Sequence, residues 1–303
     1  MICRAHGLER EIFSTDKFRA ELFSMGGRRP AFFSAPYLSD GGIKAREDID
    51  HESLLALREF LDSTNARYLL LKSRLPLFSS AENLFIDRSY FTFSLDLTGG
   101  SYHIWENVIR AKNRNQVRRG LKWNPEIHIG GIELITDFYR VFSESMRDLG
   151  TPVYSRYFFE AILEEFKDRS EIMIMKVPNL GVVSGGLLIT CGNTMFHPYA
   201  VTLKSALPLS LNNVFYWKLI ERACEKKLRG FDMGRSHREQ GTFTYKKNWS
   251  AQPVQLYYNY VLAQGARIPN HETSGIKFAT SVWKKLPLTI ANKLGPNLIK
   301  RIM

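Results

Sequence analysis

The chain is 303 residues long, with 44% apolar and 24% charged residues, a composition that is typical of a globular protein and excludes a disordered one. Its longest apolar runs, such as Tyr68 to Leu71, fall far short of the ~18 residues that a membrane-spanning helix needs, which excludes an integral membrane protein. The three cysteines fit neither a disulfide framework nor the spacing of a zinc site, which predicts a reducing, cytoplasmic environment.

The 42 basic residues outnumber the 30 acidic residues and give a formal charge of +12. An excess of this size attracts anions in general, among them nucleic acids, nucleotide-sugar diphosphates and anionic membrane surfaces. Charge therefore predicts an anionic partner without choosing its class.

The first hundred residues show few regular elements. Glu52 to Asn65 has the period of a helix, Tyr68 to Ser73 is typical of a buried strand, and Tyr90 to Asp96 alternates like a strand with one exposed face. These elements alone do not define a fold.

From residue 126 the pattern is clearer. A short strand, Glu126 to Ile129, precedes an amphipathic helix from Leu134 to Leu149 and a second helix that Ser155 caps and that runs to Lys167. Three strands separated by turn residues then predict an antiparallel meander: Glu171 to Val177, Gly181 to Cys191 and Thr194 to Val201.

A long helix, Asn212 to Leu228, follows the meander. It leads to a short strand, Gly230 to Met233, a short helix, Thr242 to Asn248, and a strand from Val254 to Leu262. The order strand, two helices, three antiparallel strands, helix, strand, helix, strand is that of the GNAT acyltransferase fold. The sequence therefore predicts an α/β protein of the α+β type.

The segment from Arg110 to Lys122 is the densest basic stretch of the chain. Arg114 and Arg118 lie between these two residues at four-residue intervals, so on a helix the four cations form one stripe. The stripe is either a solvated helix face or a contact to phosphate or RNA backbone, in which Arg114 and Arg118 bind the substrate.

The segment Phe231 to Ser236, followed by Gly241 to Trp249, is the strongest local signal. Asp232 lies where a strand leaves the sheet, and Arg235 can offer a fork to phosphate or carboxylate. Acyl transfer to an amine needs a base and a group that holds the oxyanion, so Asp232 and Lys246 are the predicted catalytic residues. The alternative is that Asp232 and Arg235 only brace a tight loop.

Other signals are weaker. Tyr199 ends the third meander strand close to where a GNAT substrate would lie. The histidines and cysteines show no metal-ligand spacing, so no metal is expected. The turn from Leu203 to Asn213 contains no glycine and includes Pro208, whereas CoA-dependent GNAT enzymes hold the pyrophosphate in a glycine-rich turn at this helix N-terminus. This difference weakens the case for acetyl-CoA.

Several motifs together resemble the FemAB-like proteins that accompany exosortase (PEP-CTERM) and exopolysaccharide systems. They are Asn113 to Lys122, Met146 to Tyr154, Asn212 to Trp217, Phe231 to Ser236 with Thr244 to Trp249, and the closing Lys285 to Leu288 and Leu294 to Pro296. The resemblance extends from about residue 25 to the end.

The resemblance implies tandem GNAT-like domains. The first, residues 1–122, ends in the basic helix and is expected to be incomplete. The second, residues 123–265, is expected to be complete, and residues 266–303 form a basic amphipathic tail. It also implies a pair like Tyr245-Lys246, in which the lysine meets the acceptor and the transition state. Asn213, Tyr216, Lys247, Tyr199 and Arg235 complete the expected substrate-binding set.

Transfer of an acyl or aminoacyl group to an amine on a cell-envelope or exopolysaccharide precursor is the function that the resemblance implies, as in the peptidoglycan enzymes of the family. Aminoacyl-tRNA or acyl-CoA would be the co-substrate, with no resident cofactor, and the acceptor can be lipid-linked. The alternative is a catalytically inactive module that binds an anionic sugar precursor or scaffolds exopolysaccharide machinery.

The tail from Gly275 to Met303 interleaves apolar residues with six cations and has no acidic residue. This pattern is typical of helices that lie on an anionic membrane, so we expect either a peripheral contact at the inner membrane face or packing over the first domain.

Overall fold

The computed structural model describes residues 8–45, 49–79, 83–268 and 274–302. The elements of the first part of the chain are β1 (Arg10–Ser14), β2 (Phe18–Met25), β3 (Ala31–Phe33), β4 (Ile43–Ala45), α1 (His51–Ser63), β5 (Tyr68–Ser73), β6 (Leu84–Asp87) and β7 (Tyr90–Asp96).

The second part begins with α2 (Gly100–His103), which continues into a π-helical turn, Ile104–Val108. Its later elements are α3 (Ala111–Leu121), β8 (Glu126–Gly130), α4 (Ile135–Leu149), α5 (Arg156–Phe166), β9 (Ser170–Val177), β10 (Gly181–Cys191), β11 (Thr194–Thr202), α6 (Leu211–Glu225), β12 (Gly230–Asp232), β13 (Ser236–His237), α7 (Gly241–Asn248), β14 (Gln252–Gln255), β15 (Tyr257–Leu262), α8 (Ser274–Trp283) and α9 (Leu288–Ile302).

The predicted order of elements from residue 126 is confirmed. The three meander strands are antiparallel neighbours, and the side chain of Ser155 caps α5 by accepting a hydrogen bond from the Phe158 N–H at 3.2 Å. One predicted strand, Val254 to Leu262, was wrong as a single element. It is two strands separated at Leu256, and the two belong to different sheets.

The strands form two sheets that exchange members. The first has the order β1-β2-β3-β5-β15-β6, with β4 also on β2, and the second has the order β13-β7-β12-β11-β10-β9-β8, with β14 also on β7. β7 precedes the second half of the chain yet lies inside its sheet, while β15 follows that half and pairs with β5 and β6. The sheets therefore do not follow the predicted boundaries at residues 122 and 265.

A shared aromatic core joins the two sheets. Phe142 and Phe158 of the two helices after β8 pack with Tyr199 of β11, and the same cluster includes Tyr68 and Tyr258 of the first sheet. Because burial of such side chains is the dominant stabilising contribution, the two halves share one cluster of the core.

The tail formed by α8 and α9 packs on α4. The side-chain amide of Asn292 donates to Ser143 Oγ at 3.3 Å, and an added Cβ at Gly295 would lie 2.9 Å from the Val153 backbone nitrogen. Part of the tail's surface is therefore a packing surface. The packing alternative expected contact with the first domain, whereas α4 belongs to the second half of the chain. Cys3 and the side chain of Arg301 lie outside the described residues.

No helix among the described residues is long and apolar enough to cross a bilayer.

The close packing of α3 on α6 gives a stability prediction. A Cβ added to the buried Gly120 would lie 2.5 Å from Val214 Cγ2 and 2.8 Å from Ser210 O. Although alanine favours an isolated helix, we expect Gly120→Ala to lower the free energy of unfolding by ~1–3 kcal/mol because the added methyl overpacks this contact. Urea unfolding measures the change. Gly275→Ala in α8, where a Cβ would meet nothing within 4 Å, is the control and should not lower the free energy of unfolding.

Candidate active site

The separation of β11 from β12 opens the second sheet. The two strands run parallel and pair only from Thr194–Phe196 to Gly230–Asp232, after which β11 continues along β10 while β12 ends. The two strands are therefore splayed beyond their third residue pair.

A β-bulge in β11 lies at the point of separation. Between the pairs Ile189–Phe196 and Leu187–Tyr199, β11 has one residue more than β10. The extra residue reverses the alternation of side chains, as bulges do. His197 therefore packs against Tyr216 of α6, whereas Tyr199 packs on the opposite face of the sheet.

A pocket of about 460 Å³ lies on the Tyr199 face, between the two sheets. Its walls are largely aromatic and aliphatic, and its polar contributors include Lys72 and Arg235. None of the described residues that line it is acidic: Tyr37, Leu38, Ser39, Lys72, Phe142, Met146, Leu149, Thr151, Tyr154, Pro198, Tyr199, Ala200, Val201, Gly234, Arg235 and Ile299. An apolar pocket that converges on two cations suits a substrate with an anionic group.

Lys72 comes from β5 of the first sheet and is only 2% exposed. Its Nζ donates to Ala35 O at 3.1 Å and Leu38 O at 3.3 Å, and it lies 5.4 Å from the centre of the Tyr258 ring. Burial, with a smaller contribution from the nearby Arg235 charge, lowers the pKa of Lys72 to about 7. Part of the Lys72 population is therefore neutral at physiological pH.

Arg235 lies in the turn that follows β12 and is exposed in the open pocket. Its Nη1 donates to Tyr258 Oη at 2.6 Å, and its guanidinium lies 4.9 Å from the centre of the Tyr90 ring. Both tyrosines belong to the exchanged strands, so the strand exchange fixes the orientation of this cation.

Tyrosines form another part of the pocket wall. Tyr199 donates its hydroxyl to the Tyr37 carbonyl at 3.0 Å and so connects β11 to a loop of the first sheet. Burial raises the pKa of Tyr154 to about 12, which keeps this phenol neutral at pH 7.

Asp232 is buried and does not line the pocket. Its carboxylate accepts hydrogen bonds from Thr92 Oγ1, from the Gly234 N–H at 2.8 Å and from Arg74 Nη2 at 3.1 Å. Arg74 also donates to Asp40 at 2.8 Å. Through these partners the Asp232 carboxylate connects β7, the turn after β12 and the first sheet. The alternative prediction, in which Asp232 and Arg235 brace the loop, named the wrong arginine, because Asp232 pairs with Arg74.

Lys246 of α7 is likewise buried, 6% exposed, and lies behind the pocket wall. Its Nζ donates to Gly234 O at 2.8 Å and to Arg235 O at 2.9 Å. Burial lowers the pKa of Lys246 to about 7, against the opposing effect of the Asp232 charge. The structure thus brings Lys246, Asp232 and Arg235 together, but only Arg235 faces the pocket.

The other residues of the expected substrate-binding set lie elsewhere. Tyr216 and Tyr245 pack edge to face, with ring centres 5.2 Å apart, on the far side of the sheet beside His197. Burial of His197 lowers its pKa to about 3, so this imidazole is neutral. Asn213 is buried in the first turn of α6, and Lys247 is exposed.

The basic stripe is confirmed as a helix face, but Arg114 has internal partners. Its Nη1 donates to the carbonyls of Trp105, Glu106 and Ile109, at 3.0, 3.1 and 2.6 Å, and so binds the end of the preceding helix. Arg118 lies 5.6 Å from the centre of the Trp105 ring and remains exposed. Arg118 is therefore more available to an anion than Arg114.

The N-terminus of α6 is covered by α3. Ser210 Oγ donates to the Gln116 side chain, and Arg119 Nη2 donates to Pro208 O at 3.3 Å. In the GNAT fold this helix N-terminus is the place where backbone N–H groups hold a diphosphate. Here a neighbouring helix packs against the turn that would form that site.

Lys72, Arg74 and Tyr154 were missed by the sequence reasoning. Lys72 follows the apolar run Tyr68 to Leu71 inside a predicted buried strand, and a lysine at such a position was a detectable signal, because burying its charge needs compensating partners. Among the described residues no cluster of His, Cys, Asp and Glu has three members placed to hold a metal.

Comparison with known proteins identifies the fold around this pocket. Residues 111–247 match the family described as Acetyltransferase (GNAT) domain. This segment, a little under half of the chain, is therefore identified as a GNAT-type domain. A comparison with curated protein sequences finds no match.

Solved structures extend the likeness to most of the chain. FemX is 13% identical with a TM-score of 0.60, over 85% of this chain and 88% of FemX. L-PGS from Bacillus licheniformis is 12% identical with a TM-score of 0.56, over 91% of this chain and 90% of that one. A tandem GNAT protein from the clavulanic acid biosynthesis pathway is 9% identical with a TM-score of 0.53, over 84% and 82%. The FemAB-like resemblance and the tandem GNAT fold are therefore confirmed.

The two buried lysines give a prediction that needs no substrate. In NMR titrations of protein carrying ¹³C-labelled lysine, two Cε signals should shift near pH 7, far below the ~10.4 of lysine in a model peptide. Lys72→Arg and Lys246→Arg each remove one of the two signals and so assign them. A spectrum in which every resolved lysine titrates above about pH 9 contradicts the burial argument.

The covered helix N-terminus predicts weak CoA binding by this GNAT domain. Calorimetry with CoA and acetyl-CoA should give no Kd of about 1 µM or tighter, because the diphosphate would have to displace α3. Sub-micromolar affinity for either ligand would contradict this prediction.

Proposed function

We propose that this GNAT protein is an N-acyltransferase or aminoacyltransferase that acts on an amine of a cell-envelope or exopolysaccharide precursor. The single observation that supports it best is the pocket at the separation of β11 and β12, where Lys72 and Arg235 converge and no described lining residue is acidic. A precursor that carries phosphate or carboxylate groups suits this chemistry.

The proposed reaction joins the acceptor nitrogen to the donor carbonyl carbon. The amine attacks the carbonyl, the C–N bond forms, and the bond to the donor oxygen or sulfur breaks, so that the donor leaves as an alcohol or a thiol. The attacking nitrogen loses a proton, and the leaving group gains one. A base with a pKa near the working pH promotes this proton transfer.

Lys72 is the proposed base. Burial lowers its pKa to about 7, so its neutral form is available at physiological pH and accepts the proton from the attacking amine. Arg235 is proposed to bind the anionic group of the acceptor, since this residue is exposed and lines the pocket while Tyr258 fixes the direction of its guanidinium.

Asp232 and Lys246 are proposed to act as positioning residues. They bond the backbone on both sides of Gly234 and so hold the turn that carries Arg235. Their removal should change the KM for the acceptor more than kcat, because they act through the orientation of a binding group.

The donor is proposed to be an aminoacyl-tRNA or another activated acyl group. Such a donor does not need a diphosphate site at the N-terminus of α6. The contact of α3 with Pro208 and Ser210 supports this choice. The same contact favours a second candidate function, an inactive module that binds the anionic precursor in the pocket without transferring a group to it.

Incubation of the purified protein with envelope precursors decides between the two candidates. One reaction contains acyl-CoA and the other a mixture of aminoacyl-tRNAs, each with and without ribonuclease, and mass spectrometry detects the mass added to amine-bearing precursors. Transfer that ribonuclease abolishes supports the aminoacyl donor. Retention of a precursor on the protein with no added mass under either condition supports the binding module.

Once transfer is detected, the base is tested by substitution of Lys72. We expect Lys72→Met to lower kcat/KM by ~10²–10⁴-fold, because a general base contributes about this much. Wild-type kcat/KM should rise with pH through about 7, since only the neutral amine accepts a proton, and this rise should be lost in the variant.

Lys72→Arg separates the base from a purely electrostatic role. Arginine keeps the charge but does not deprotonate, so activity as low as that of Lys72→Met supports the base and near wild-type activity contradicts it. Lys176→Met, which removes an exposed lysine of β9, is the matched control, and melting temperatures exclude loss of the fold.

A further inference from the structure

The α8–α9 tail has an inner face that is already occupied. Trp283, Ala291 and Ile299 are buried, and Ile299 both joins the shared aromatic core and lines the pocket. A Cβ added to Gly150 at the end of α4 would lie 2.3 Å from Thr280, so this contact is close. The tail is therefore fixed to the domain and presents its other face outward.

The outer face of this tail is apolar. Phe278 is 73% exposed, and Ile290, Leu294 and Leu298 follow one another at four-residue intervals along α9, so they form a single line on that helix. The exposed apolar residues of the tail are Ile276, Phe278, Val282, Ile290, Leu294 and Leu298. This cluster on two short helices is more than the scattered apolar residues of an ordinary surface.

Cations surround these apolar side chains. Lys277, Lys284, Lys285 and Lys293 are exposed, and Lys300 is half-buried. From residue 274 to residue 303 the sequence contains no aspartate or glutamate. A protein partner of ordinary composition would not need such a complete exclusion of acidic residues, whereas an anionic lipid surface favours it, because each lysine near that surface strengthens binding.

We propose that the outer face of the α8–α9 tail docks this protein on an anionic membrane. The apolar side chains enter the boundary between headgroups and acyl chains while the lysines contact lipid phosphates. Neither helix spans the bilayer, so docking is peripheral and reversible. This inference goes beyond the proposed transfer reaction and does not depend on it.

Docking would also orient the pocket. Ile299 of the tail's inner face and Leu149, 63% exposed at the end of α4, both line the pocket. Docking of the outer face would therefore hold the pocket wall that the tail forms close to the membrane surface.

Vesicle co-sedimentation of the full chain tests the proposal. The probes are vesicles of phosphatidylcholine alone and vesicles that contain about 30% phosphatidylglycerol, each at low salt and at about 0.5 M salt. We expect binding to the anionic vesicles at low salt only. Equal binding to neutral vesicles, or no binding to either, would overturn the proposal.

Two pairs of variants locate the surface. Lys277→Glu/Lys284→Glu/Lys285→Glu should weaken binding roughly a hundredfold, whereas Lys44→Glu/Lys112→Glu/Lys176→Glu, with the same change in net charge on exposed positions of β4, α3 and β9, should change it far less. Phe278→Ser should weaken binding by about tenfold, whereas Tyr102→Ser, at a residue that is 79% exposed on α2, should not.

Equal losses in the tail variants and their controls would overturn the proposal, because net charge or another surface would then explain binding. A dimer that Phe278→Ser dissociates, in a protein that does not bind vesicles, would also overturn it and assign the face to a second copy of the chain. Neither result would affect the transfer assay with a water-soluble acceptor, so the two proposals fail independently.

Discussion

The separation of two parallel strands imposes the constraint on which the site depends. When β12 leaves β11 after three paired residues, the backbone groups of the following turn lose their partners in the sheet, and a buried carbonyl without a partner costs about 1–3 kcal/mol. Asp232 accepts from the Gly234 N–H, and Lys246 donates to the carbonyls of Gly234 and Arg235. The residues that looked most catalytic in the sequence thus compensate for the opening of the sheet.

The same arrangement occurs in the first sheet. β3 and β5 also run parallel over three pairs before they separate, and Lys72 then donates to Ala35 O and Leu38 O in the loop that follows β3. In both sheets a buried lysine replaces lost sheet partners, and burial lowers its pKa to about 7. The difference is position, because Lys72 lines the pocket and Lys246 lies behind its wall. A requirement of the fold therefore places a lysine with a lowered pKa against the pocket.

Strand exchange makes the pocket a property of the whole chain. Tyr90 of β7 and Tyr258 of β15 stack at 4.7 Å and hold Arg235, although 167 residues separate them in sequence. Ile299 of the tail closes another part of the same wall. Two halves that share a core and exchange strands cannot move apart without losing both, so the pocket geometry is fixed by the energetics of folding.

The sequence by itself determined the elements after residue 126, because amphipathic periodicity, Ser155 as a cap and the turn residues are local signals. Motifs also indicated the GNAT fold and located the segments around Asp232 and Lys246. Only the tertiary structure decided that residues 257–262 join the first sheet. The alternation of polar and apolar residues within one strand does not indicate which distant strand it pairs with. It likewise decided that Arg114 is bound internally while Lys72 faces the pocket. Composition identifies a cation, but its partners and burial depend on residues that only folding brings near.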